Sequence, residues 1–161
     1  MCGGRMCGPD PGPGCSGTCG SCPRGFACNS VGTACVLDPT SYWIVRATTG
    51  TVASTAPGGG AWDADGSAPD PYVCLTLAGV ETCTPYAADT FTPRWDFDFP
   101  AVTAASLMAG VPNYYADDDW RPDDYICSMG TVMFTAANLT AGTRTLSCLP
   151  NGTFTLTFRA R

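Results

Sequence analysis

Hydrophobic and polar positions alternate most cleanly at Arg94–Phe99, where Trp95, Phe97 and Phe99 share one face and Asp96 and Asp98 the other. That period is the mark of a half-buried strand. The pattern returns at Thr153–Phe158, with Phe154, Leu156 and Phe158 on the core face. Tyr42–Val52 and Tyr125–Phe134, rich in β-branched and aromatic residues, read as further strands. Val73–Leu77 and Val80–Cys83 flank Ala78-Gly79 and predict a hairpin. A turn of those two residues sets Leu77 opposite Val80 and Cys74 opposite Cys83, a non-hydrogen-bonded pair close enough for a disulfide. Leu75 and Leu77 then face the core, while Cys74, Thr76 and Glu81 face outward. Alanine is a poor first residue for either primed turn, so this register is the point to check. No long helical period interrupts these runs, and 19 Gly and 14 Pro break them at short intervals. The pattern is that of an all-β sandwich.

A length of 161 residues suits one domain with a small appendage. The appendage is residues 1–36, and the main domain follows at 37–161, with Leu37–Thr40 as the link. Seven of the 11 Cys fall in the appendage, among Gly, Pro and Ser, with Phe26 and Val31 as its main large apolar side chains. So little apolar surface builds no core, and cross-links must hold the segment. Cys19-Gly-Ser-Cys22 has the spacing of a zinc knuckle or a redox dithiol. Zinc wants a second tight pair, and Cys28 and Cys35 stand too far apart for one. A redox pair wants a βα context that a Gly/Pro run does not supply. A disulfide module is the better reading. Seven is an odd number, which leaves one Cys without a partner in the module. By elimination Cys127 pairs with Cys148, a loop closure that contributes about 3 kcal/mol.

This Cys usage points to an oxidising compartment. Met1 is followed at once by Cys-Gly-Gly, with no apolar run of the signal-peptide kind. No segment reaches the ~18 apolar residues of a membrane-spanning helix. The expectation is an exported protein, in the cell envelope or extracellular, whose signal segment and an upstream Cys are missing from this chain.

Charge removes several functions. Fourteen acidic residues face eight basic ones, all Arg, for a net charge of −6. With no Lys and no basic cluster, nucleic acid is not an expected partner, nor is a polybasic lipid-binding face. The chain has no His. Ser-His-Asp and Cys-His catalysis are therefore excluded, and Cys is the only soft metal ligand.

The acid is concentrated in two loops. Trp62-Asp-Ala-Asp-Gly-Ser-Ala-Pro-Asp-Pro-Tyr72 carries Asp63, Asp65 and Asp70 into a strand, and Ala116-Asp-Asp-Asp-Trp-Arg-Pro-Asp-Asp-Tyr-Ile126 repeats the arrangement. Crowded carboxylates repel unless a hard cation neutralises them, and calcium takes several oxygen ligands. The plainer reading is that Asp, Gly and Pro are ordinary turn residues. The helix-loop-helix calcium motif fails, because counting from Asp63 sets Gly66 too early and Cys74 where the closing Glu belongs.

Two resemblances extend this reading. Cys2-Gly-Gly-Arg-Met-Cys7-Gly-Pro-Asp-Pro, Cys15, Cys19-Gly-Ser-Cys22-Pro-Arg-Gly-Phe-Ala-Cys28 and Gly32-Thr-Ala-Cys35 resemble the Cys-rich leaders of myxobacterial cell-envelope lipoproteins. From about residue 41 to 160 the chain resembles a C2 domain, the calcium-dependent phospholipid-binding sandwich. Four motifs carry that likeness in the family's order. Asp70-Pro-Tyr-Val is similar to the close of the first calcium loop, and Thr92-Pro-Arg-Trp-Asp-Phe-Asp-Phe to a following strand. Asp117-Asp-Asp119 is similar to the opening of the third loop, and Asp124-Tyr-Ile to its close. The resemblance implies an eight-stranded antiparallel β-sandwich that holds Ca2+ through Asp63, Asp70, Asp117, Asp119 and Asp124, with the Asp118 carbonyl adding an oxygen. Loop one differs from the usual length by a residue, so Asp65 is the alternative to Asp63, and Asp123 is the alternative to Asp124.

There are departures from the family. Pro112 and Asn113 weaken the expected strand at Val111–Tyr115, Cys127 replaces a Gly, and a Lys-rich concave face is absent. Trp120 either packs the loop base or meets a membrane or partner. Trp43 and Trp95 read as core. Asn138-Leu-Thr and Asn151-Gly-Thr match the glycosylation pattern by chance. The expected function is a monomeric, non-enzymatic calcium-binding module whose partner is membrane phospholipid or another envelope protein. The alternatives are a calcium-independent structural spacer and a carboxylate hydrolase using paired Asp as acid and base.

Overall fold

The computed structural model describes residues 6–8, 20–63, 65–117 and 124–161, and of Asp117, Asp124 and Tyr125 the backbone alone. In chain order the elements are β1 (Phe26–Cys28), β2 (Cys35–Leu37), β3 (Tyr42–Val52), β4 (Pro71–Leu77), β5 (Val80–Cys83), β6 (Arg94–Asp98), β7 (Val102–Thr103), α1 (Ala104–Ala109), β8 (Val111–Asp117), β9 (Asp124–Val132), α2 (Ala136–Ala141), β10 (Thr143–Cys148) and β11 (Gly152–Ala160). Two antiparallel sheets of order β10-β11-β3-β6 and β5-β4-β8-β9 supply the eight strands of the sandwich. The two-residue β7 continues the β6 edge against the start of β3. Inward side chains from both sheets, among them Val45, Leu75, Tyr115, Ile126, Phe154 and Leu156, are fully buried between them. Among the described residues no helix is long and apolar enough to cross a membrane.

The hairpin has the expected register, with Leu77 opposite Val80 and Cys74 opposite Cys83. Ala78 accepts φ +50° to make the turn with Gly79 at φ +82°. The Cys74–Cys83 disulfide bridges the pair, whose Cα atoms are 4.0 Å apart. Cys74 does point away from the core, yet it is buried. The covering groups are its own disulfide and Tyr114, its opposite number on β8, whose hydroxyl lies 3.8 Å from Cys83 Sγ.

Two features depart from the sequence pattern. The helices α1 and α2 are six residues each, too short to display a helical period. Thr103 and Thr135 cap them, the latter in a capping box with Asn138. Asn138 is thus occupied as a cap. The strand that Pro112 and Asn113 seemed to weaken forms as β8. Pro112 lies outside the β4 ladder, which ends at Asn113, and the buried Asn113 amide donates to Val111 and Gly130 carbonyls.

The Cys-rich segment is cross-linked by Cys7–Cys28 and Cys22–Cys35. Cys22 is therefore joined across the β1–β2 ribbon and not to its C-x-x-C neighbour. Phe26 meets Trp43 edge-on at 6.1 Å, so the ribbon borrows the sandwich core in place of one of its own. Gly25, at φ +85°, is required here, since a Cβ would stand 2.5 Å from the Trp43 ring.

Candidate metal centre at one end of the sandwich

The end of β3, the start of β4, the end of β8 and the start of β9 meet at one end of the sandwich. Backbone register sets Pro71 opposite Asp117, and Asp117 opposite Asp124. Asp70, just before β4, thus stands beside Asp117 at the end of β8 and Asp124 at the start of β9, on neighbouring chains about 4.8 Å apart. Asp119, with Asp118, Trp120 and Asp123, lies outside the described residues. Two register shifts in the β8–β9 ladder, after Asn113 and after Tyr115, each leave an extra residue on β9. A pair of bulges twists this strand toward the loop end.

Loop one is anchored by Trp62, whose buried indole donates to the Ala53 carbonyl at 2.8 Å. Beyond it the chain turns sharply, Gly66 N–H bonding the Asp63 carbonyl at 3.0 Å. Ser67 Oγ stands 2.6 Å from Asp65 Oδ1 and 2.9 Å from Asp63 Oδ2, and so gathers both carboxylates. The Ser67 N–H also donates to Asp65 Oδ1 at 2.9 Å. The Ser67 hydroxyl, and after it that N–H, holds the Asp65 carboxyl below its ordinary range.

A further acidic residue, Asp89, is brought to Asp70 through its backbone by the β5–β6 connection. Ala87 and Thr90 N–H groups bond the Pro71 and Pro69 carbonyls, and the Asp89 N–H donates to Asp70 Oδ1 at 2.6 Å. Asp89 adopts φ +49° to do so. The sequence reading did not name Asp89. Its one local signal is a lone Asp in a turn, and its approach to Asp70 depends on long-range pairing.

The donors at this end are carboxylates, with no imidazole or thiolate among them, and such a set suits a hard oxygen-seeking cation. Asp63, Asp70 and the backbones of Asp117 and Asp124 lie at this end and their donor chemistry suits the ion, while among the described residues no three carboxylate oxygens stand within 4.8 Å of one another. Elsewhere, Cys7, Cys22 and Cys35 bring their sulfurs within 4.8 Å of one another. All three are in disulfides and offer no thiolate.

No protein-family model matches the chain, and no curated protein matches its sequence. Solved structures do. A C2 domain aligns over 74% of this chain and 97% of its own, with TM-score 0.50 and 15% identity. The C2A domain of plant Extended Synaptotagmin 1 aligns over 77% and 96%, with TM-score 0.51 and 13% identity. The calcium-bound C2A and C2B domains of Extended-Synaptotagmin 2 match over 76% of this chain at TM-score 0.53 and 15% identity, and this chain spans 46% of theirs. At such identities the likeness is one of fold, and the main segment carries the fold of C2 domains.

Proposed function

We propose that this chain is a calcium-binding C2-like module of an exported or cell-envelope protein. Asp63, Asp70, Asp117, Asp119 and Asp124 would hold the ion between two loops, with Asp89 beside Asp70 as an added carboxylate. The observation that carries this reading is the strand register that aligns Asp70, Asp117 and Asp124 at one sheet end. Bound calcium would supply charge neutralisation, ordering both loops and stabilising the fold by mass action. A calcium-bound structure among the fold neighbours agrees with this. Tyr86, Phe91 and Leu149 are exposed in connections at the same end, Leu149 by 80%. Apolar groups beside a cation site suit a membrane phospholipid surface or another envelope protein.

The test is thermal unfolding of the oxidised protein in calcium, in magnesium and in chelator. At calcium a hundredfold above its dissociation constant the midpoint should rise by about 8 °C. Magnesium should do much less, and Asp70→Asn or Asp117→Asn should remove the rise. An unchanged midpoint at millimolar calcium would sink the metal reading and leave a structural spacer.

A further inference from the structure

Two arginines and an aspartate line a pocket far from the acidic loops. On the outer face of the β10-β11-β3-β6 sheet, Asp98, Arg46 and Thr157 form one row across three strands, with Ile44 and Arg159 in the next. These residues line a pocket of about 420 Å³. Asp98 Oδ1 accepts from Arg46 Nε at 2.6 Å, and Arg159 Nη2 stands 3.6 Å from Oδ2. One carboxylate is thus shared between two guanidinium groups, which leaves local positive charge in a chain of net charge −6. The neighbouring Asp96 is paired with Arg94 at 2.7 Å and its charge also reaches Arg46, so three arginines and two aspartates leave one positive charge in excess. Among the described residues the Nη groups of Arg46 and Arg159 make no hydrogen bond. Guanidinium forks facing an open cavity match planar or tetrahedral oxyanions.

We propose that this pocket is an oxyanion site, taking the phosphate, sulfate or carboxylate group of a small, sugar-sized molecule. A single oxyanion fills only part of the cavity, whose size falls within the usual range for small-molecule sites. The Thr157 hydroxyl and the Ile44 side chain are left for the body of the ligand. Asp98 acts as a built-in competitor, holding the two arginines in position while sharing their charge. The site requires no metal. It is therefore tested in chelator, where failure of the calcium reading has no bearing on it.

The experiment is NMR titration of the oxidised chain with inorganic sulfate, inorganic phosphate and glucuronate at constant ionic strength, following the arginine Nε–H signals. Saturable shifts at Arg46 and Arg159, absent at Arg24, Arg94 and Arg144, are expected with at least one probe. The strongest probe identifies the class of oxyanion. Arg46→Gln and Arg159→Gln should each abolish saturation. Asp98→Asn removes the competitor and should tighten binding about tenfold, the value of one charge-assisted hydrogen bond. The same spectra report whether each variant is folded. Linear shifts spread over all the arginines, or a folded Asp98→Asn variant that binds no more tightly, would overturn the proposal.

Discussion

The two ends of β3 are finished in opposite ways. Each has a buried tryptophan with a satisfied indole, Trp43 donating to Ser41 Oγ at 2.9 Å and Trp62 to the Ala53 carbonyl at 2.8 Å. At the Trp43 end, two disulfides and an edge-on aromatic contact bind a ribbon that has almost no core of its own. At the Trp62 end, one disulfide, Cys127–Cys148, joins β9 to β10 just below the loops. The loops themselves are organised by carboxylates bonded to their own hydroxyl and N–H groups. The leader end carries its order in covalent and apolar contacts. The acidic end gathers like charges that a cation would relieve. One end is closed by cross-links and the other carries the carboxylates of the proposed cation site.

The largest break in this contrast is Trp43→Ala. Loss of a buried indole from a core costs about 4 kcal/mol. Urea unfolding should register that loss, and hydrogen exchange should find the Phe26–Leu37 pairing unprotected. The calcium-dependent rise in midpoint should survive, because Trp43 is at the far end of β3. If calcium dependence vanished along with leader protection, the two ends would be coupled and the contrast false. Next in size is Cys127→Ser with Cys148→Ser. Opening that 21-residue closure should cost about 3 kcal/mol. Here calcium affinity should fall as well, since the clasp holds the start of β9.

How far this arrangement was legible in the sequence depends on range. The Cys74–Cys83 register followed from a two-residue turn, and the β6 alternation and the order of the acidic residues were equally local. The six-residue helices had too few positions to declare a period. Asp89 met Asp70 only through pairing of the β5–β6 connection with residues 69–71. The Arg46, Asp98 and Arg159 pocket required β6, β3 and β11 to pair side by side, with Asp98 opposite Arg46 and Arg159 opposite Ile44, which no local pattern declares. The docking of Phe26 and Gly25 on Trp43 was hidden for the same reason, for no pattern within residues 1–36 pointed to its partner.

A smaller change isolates the anchor of the acidic loop. Trp62→Phe keeps the buried ring and removes the Nε1–H donor to Ala53, which should cost about 1 kcal/mol. Calorimetric titration should find weaker calcium binding, while leader protection stays as it was. Equal affinity in a measurably destabilised variant would mean that the loop is held by its turns alone.

The smallest effect is carried by one carboxylate at each end, and both are set by the same device. Asp38 accepts from Thr40 Oγ1 at 2.7 Å and Thr40 N at 2.8 Å, as Asp65 does from Ser67. In each case the hydroxyl, followed by the N–H, draws the carboxyl below its ordinary range. A depressed folded value means that the contribution is complete above the unfolded value, about 3.9, and is lost as pH falls through the folded one. In chelator neither group should alter stability between about pH 7 and pH 5, and both should weaken it below about pH 4. Thr40→Ala and Ser67→Ala should return Asp38 and Asp65 toward ordinary titration, read from the carboxyl carbon signals. Calcium then separates the ends. It should depress the Asp65 titration further and leave Asp38 unmoved, because only one of these turns faces the proposed ion. Equal movement of both carboxyls would mean that calcium screens the surface as a whole and that the acidic end holds no ion of its own.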